Sequence, residues 1–134
     1  SGLIEGTFTG LDGGSNPQTA GVNIPKSRLS NAAWYVNYNT GFAGDANAYA
    51  SDYLNFFGFG GALVGAPNDG AVLKPEEAWN IDTKIDDGKP GTGKLIARYW
   101  NNACATSTSS TDYNGNYKLS DSTVQCSLYF VKLW

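Results

Sequence analysis

Residues 73–95, LKPEEAWNIDTKIDDGKPGTGKL, hold the one strong helix signal in the chain and, directly after it, the residues that must end that helix. Pro75 suits a first helical turn, where a missing N–H costs nothing, and Glu76 and Glu77 sit beside the positive end of the helix dipole. Ala78, Ile81 and Ile85 fall at i, i+3 and i+7, one narrow apolar stripe with Trp79 beside it. Gly88 stands where a left-handed cap belongs. The pattern predicts a helix over 75–86 docked through Ile81 and Ile85. The next residues, GKPGTGK at 88–94, imitate a phosphate-binding loop. Two features argue against it. Leu95 replaces the Ser or Thr that would hold magnesium, and the loop follows a helix, so an anion would meet the negative helix end together with Asp86 and Asp87. The stretch reads as a helix-to-strand connection, and no nucleotide is expected.

The chain as a whole is punctuated by glycine, 17 in 134 residues, and rich in aromatics at 13%. Thr7 to Thr9 is a short β-prone piece, and 11–18 is a turn cluster. Residues 21–28 are kept irregular or at an edge by Pro25. Residues 33–38 (AWYVNY), 54–64, 94–100 (KLIARYW) and 124–134 read as strands, with Val124, Cys126, Leu128 and Phe130 on one face of the last. Pro67 to Gly70 reads as a turn, and Asn114-Gly115 between Tyr113 and Tyr117 as a tight hairpin. The expectation is one domain, 1–134, of α+β class: a β-rich antiparallel sheet with one short helix packed on it. No apolar run reaches the ~20 residues of a membrane helix, so no membrane contact by this chain is expected. With a net charge of -3 and its basic residues dispersed, the chain lacks the electrostatic footprint of a nucleic-acid partner.

Chemistry is sparsely supplied. There is no histidine, which removes the commonest general base and metal ligand. No serine has a credible activating base, so no catalytic residue is assigned and the chain reads as non-enzymatic. Asp82 and Asp86 share a helix face and repel unless neutralised. Together with Asp87 they form either a calcium-binding group of oxygen ligands or a turn-stabilising set countered by lysines, and their spacing does not match an EF-hand loop. No other cofactor is implied. Trp34, Tyr35 and Trp100 are candidate binding-face aromatics for sugar stacking, the alternative being core and cross-strand pairs. Cys104 and Cys126, 126 minus 104 or 22 residues apart, read as a loop-closing disulfide rather than two free thiols, which would imply an oxidising compartment.

Several stretches together resemble the globular part of the type IV pilin and type II secretion pseudopilin superfamily: GLIEGTFTG at 2–10, VNIPKSRLSNAAWYVNYN at 22–39, LKPEEAWNIDTKIDDGKPGTGKLIA at 73–97, and a cysteine pair ending in CSLYFVKLW at 126–134. The resemblance implies the outward-facing head of a filament subunit, built on an antiparallel sheet with a C-terminal disulfide loop, extracellular or at the cell surface and periplasmic before assembly. Its implied partners are other pilin subunits. This sequence departs from the family in carrying neither the apolar N-terminal helix nor its cleavage motif. The helix is therefore expected from an upstream segment or a separate chain. The alternative reading is a secreted carbohydrate-binding or adhesion module.

Overall fold

The computed structural model describes residues 18–29, 31–40 and 45–132; the strand expected at Thr7 to Thr9 and nearly all of the 11–18 turn cluster lie outside them. In chain order the elements are β1 (Ala33–Asn39), β2 (Leu54–Leu63), β3 (Ala66–Gly70), α1 (Pro75–Ile85), β4 (Leu95–Ala97) and β5 (Leu128–Val131). They make an antiparallel sheet in the order β1-β2-β5-β4, with β3 paired to β2. The architecture is α+β and β-rich, as the sequence suggests.

The two faces of the sheet carry separate cores, because strand side chains alternate sides. On the first face Phe59, Leu128, Leu95 and Ala97 pack with Leu73, Ala78, Tyr117 and the bridged cysteines. α1 and the disulfide loop cover part of this face. On the second face Phe56, Ile96, Tyr129 and Val131 pack against Ala48, Tyr49 and Tyr53, which precede β2. Phe56, Tyr53 and Tyr129 meet at ring separations of 5.3–5.8 Å, Tyr129 edge-on to both others and Tyr53 tilted against Phe56; such aromatic pairs contribute about 0.5–1.5 kcal/mol each beyond area burial. The glycines in β2 make close approach possible: a Cβ on Gly58 would lie 2.1 Å from the Tyr35 ring, and one on Gly60 would lie 2.3 Å from the Asn68 carbonyl oxygen.

The expected helix is found, with Pro75 in its first turn and Glu77 accepting the Lys74 N–H at 2.8 Å. Its docked face differs. Ile85 is 54% exposed and Ile81 only partly buried, whereas Ala78 and Asp82 are fully buried. Periodicity locates a stripe, but Asp82 takes a place in it because the disulfide loop brings a partner. The expected turn at Pro67 to Gly70 is instead β3; the turn falls at Val64-Gly65, with Gly65 at φ +69°. The expected 94–100 strand stops at Ala97, since Tyr99 adopts φ 68° and its N–H turns away to Asn47 O. The last strand is shorter than 124–134. Val124 is 49% exposed, and Cys126 bridges to Leu73 rather than continuing β5. At 113–117 a turn and a single bridge, Tyr117 to Ala105, replace a regular hairpin. Among the described residues no helix is long and apolar enough to cross a membrane.

Candidate functional site

The three aspartates at the end of α1 come together, with carboxylate oxygens within 4.8 Å of one another. Asp82 Oδ1 accepts the Gly88 N–H at 3.1 Å and Oδ2 accepts the Tyr117 hydroxyl at 2.7 Å. Asp86 Oδ2 accepts the backbone N–H groups of Lys94 and of Leu95, the latter at 3.1 Å. Asp87 Oδ1 takes the Lys89 N–H at 2.8 Å and Oδ2 the Thr92 hydroxyl at 2.6 Å. Five of the six carboxylate oxygens therefore already accept hydrogen bonds from the turn or the disulfide loop. Calcium asks for six to eight oxygen ligands, and oxygens committed to N–H and O–H donors fit it poorly. The arrangement fits a turn clasp.

Local backbone explains how the clasp closes. Gly88 and Gly93 adopt φ +71° and +80°, and a Cβ on Gly93 would fall 1.8 Å from Asp86 Oδ2, so glycine is the residue this conformation and this approach allow. The N–H groups at Lys94 and Leu95, which a bound phosphate would need, are taken by Asp86. The order is helix, glycines, strand, the reverse of a phosphate loop. Burial pushes the Asp82 carboxyl up to about 6, opposed by hydrogen bonds from Tyr117 and Gly88 and reinforced by the neighbouring charges of Asp87 and Asp86. Burial also pushes the Tyr117 hydroxyl well above its ordinary value, and Asp82 adds to the effect. Lys89 Nζ donates to Asn116 Oδ1 at 2.6 Å, a second tie from the turn to the disulfide loop. Cys104 and Cys126 are bridged.

Trp34, Tyr35 and Trp100 do not form one platform. Trp34 lies on the first sheet face, tilted against Phe59 and Phe130 at 4.7 and 5.3 Å. Tyr35 and Trp100 pack against the opposite core, and Trp100 Nε1 donates to Ala48 O at 3.1 Å. What the first face presents to solvent on β1 is Trp34, Val36 and Tyr38, at 38%, 64% and 61% exposure. Phe57, paired with both Val36 and Phe130, is half-buried on the same face. This patch lies beside the part of the face that α1 covers.

A buried polar cluster lies where sequence reading places only a turn and a strand. Arg98, 8% exposed, pairs with Asp45 at 3.0 Å and with Asp69 at 3.7 Å. The Asp69 carbonyl accepts from Arg98, the Tyr99 hydroxyl and the Ser127 hydroxyl at 3.2, 3.1 and 2.8 Å. Tyr35 donates its hydroxyl to Asp69 Oδ1. Burial raises the Asp69 carboxyl, opposed by Tyr35 and Arg98. The cluster joins β1, β3, the end of β4 and the entry to β5. Its sequence signal is an arginine inside an apolar run, which cannot be buried without an anionic partner.

Against known proteins, the chain matches no family model, no curated protein and no solved structure.

Proposed function

We propose that the chain is the solvent-facing head of a type IV pilin-like or pseudopilin-like filament subunit, non-enzymatic and located at the cell surface after passage through the periplasm. The observation that carries this reading is the uneven cover of the first sheet face. α1 and the disulfide loop pack on one part of it, while Trp34, Val36 and Tyr38 leave a contiguous apolar strip open on the edge strand. An apolar helix from an upstream segment or a separate subunit has the shape and chemistry to cover that strip. The clasp and the disulfide then hold the outward side in one conformation, and the assembly machinery, not this chain, handles nucleotide.

The test is Val36→Glu, scored for incorporation into filaments sheared from source cells. The variant folds with a stability change within about 0.5 kcal/mol, as an exposed substitution should, yet is lost from the filament fraction. Normal incorporation, or a wild-type protein found only in free secreted form, removes the proposal. A second reading, a carbohydrate-binding module, draws on Trp34 and Tyr38, four residues apart on one exposed face and so about 13 Å apart at ~3.3 Å per residue. Tryptophan fluorescence that shifts on adding polysaccharide supports the module; an unchanged spectrum supports the filament head.

A further inference from the structure

Three steps in which glycine follows Asp or Asn lie among the described residues: Asp69-Gly70, Asp87-Gly88 and Asn114-Gly115. All three share a latent reaction. The glycine backbone nitrogen, unhindered by a side chain, attacks Cγ of the preceding residue and forms a five-membered succinimide. From asparagine the bond between Cγ and Nδ2 breaks and ammonia leaves; water then opens the ring on either side, giving aspartate or isoaspartate. Only water is consumed.

The fold treats the three steps differently. Asp69-Gly70 lies in β3, with the Asp69 carboxyl held by Tyr35 and Arg98 and Gly70 paired to Gly61. At Asp87-Gly88 the attacking N–H is bound to Asp82 Oδ1 at 3.1 Å, and both Asp87 oxygens hold donors. At Asn114-Gly115 neither restraint applies. The Asn114 side chain is exposed and makes no hydrogen bond with the described residues, and the Gly115 N–H meets no acceptor among them. Gly115 itself is buried, and a Cβ on it would fall 2.0 Å from Ser107 Oγ. Ser107 is itself buried and joined to the Tyr49 hydroxyl at 2.7 Å. Packing thus demands glycine at 115, and a bulkier, slower-reacting residue is excluded by the same contact. Packing therefore fixes the glycine half of the reactive pair, while the exposed Asn114 is free of it.

We infer that Asn114 is a modification site, converting spontaneously to aspartate and isoaspartate in the folded protein. The product adds one negative charge to a protein of net charge -3. The isoaspartate form also lengthens the backbone by one methylene inside the loop that Cys104 and Cys126 close. The change falls next to the contact that orders this loop, in which Thr106 and Asn116 exchange bonds at 2.9 and 3.0 Å.

The full-length protein, disulfide intact, is incubated at neutral and mildly alkaline pH beside the same protein in denaturant. Both are mapped by peptide mass and by isoaspartyl methyltransferase labelling. Conversion at Asn114 in the folded protein should run within about threefold of the unfolded rate, because no local opening is required. It should accelerate with pH, since the attacking amide must lose its proton, and Asp69 and Asp87 should stay unlabelled. Asn114→Ser should abolish the signal without altering the melting profile. Slowing in the folded state by more than about tenfold, the mark of a reaction that waits for opening, overturns the inference. So does labelling that survives Asn114→Ser.

Discussion

Replacing Tyr117 by Phe removes one hydroxyl from the interior and leaves Asp82 Oδ2 facing a hydrocarbon edge. Asp82 is fully buried and that hydroxyl lies 2.7 Å from it. The loss depends on the charge state of the carboxyl. A hydrogen bond to a charged group contributes about 1.5–3 kcal/mol and a neutral one about 0.5–1.5 kcal/mol. Burial holds the Asp82 carboxyl at about 6, above its ordinary 3.8. The folded state therefore keeps this proton between about pH 4 and pH 6, where the unfolded state has released it. Stability from this group is greatest below that window and falls as pH rises through it. Tyr117 is among the groups holding the carboxyl down, so Tyr117→Phe moves it further up and deepens the total fall. The variant should lose about 2 kcal/mol at pH 7, where Asp82 is largely ionised, and about 1 kcal/mol at pH 4, where it is largely protonated. At about 4 °C per kcal/mol for a domain of this size, the drops in Tm are about 8 and 4 °C. Thermal unfolding followed by circular dichroism, wild type and variant at both pH values, reads the difference directly. Equal losses at the two pH values, or a larger loss in acid, would refute the assigned role of Asp82.

The Cys104–Cys126 bridge closes a 22-residue separation, and replacing both cysteines by alanine should cost about 3 kcal/mol in urea unfolding; alkylation should find two thiols only after reduction. Arg98→Met strands Asp69 in the interior and should cost about 3 kcal/mol at neutral pH, because removing one partner of a buried pair leaves an uncompensated charge. Adding Asp69→Asn should recover part of that loss, whereas an Arg98→Met variant as stable as wild type would show that the pair bears no weight.

The parts of this fold legible in sequence are those whose cause is local. Pro75, the two glutamates and Gly88 each act within a turn of their own position, and the helix begins and ends where they place it. β1 follows from a run of aromatic and branched residues, and β2 from three phenylalanines set among glycines. The elements read wrongly depend on distant partners. Pro67 to Gly70 has turn composition, yet Asp69 is drawn into the interior by Arg98, 29 residues away, and the segment pairs as a strand. Asp82 looks like a solvent-facing member of a charged helix end until Tyr117, 35 residues on, supplies a donor for its carboxylate; Ile85, read as a docking residue, is displaced outward. Of the candidate site, the aspartates and cysteines are visible in advance because their spacing is short or their pairing has one solution. The grouping of the aromatics is not visible, since alternation sends Trp34 and Tyr35 to opposite faces and only tertiary packing decides which face stays open.

The covalent link between Cys104 and Cys126 also governs how the protein answers a pull. Tension applied along the backbone crosses from one sulfur to the other, so the residues between them bear no load. With a separation of 22 residues, about 75 Å of contour length at ~3.4 Å per residue is withheld from any stretching. A force large enough to peel strands from the sheet would leave that loop, with Asn114 at its turn, unstretched between its two sulfurs.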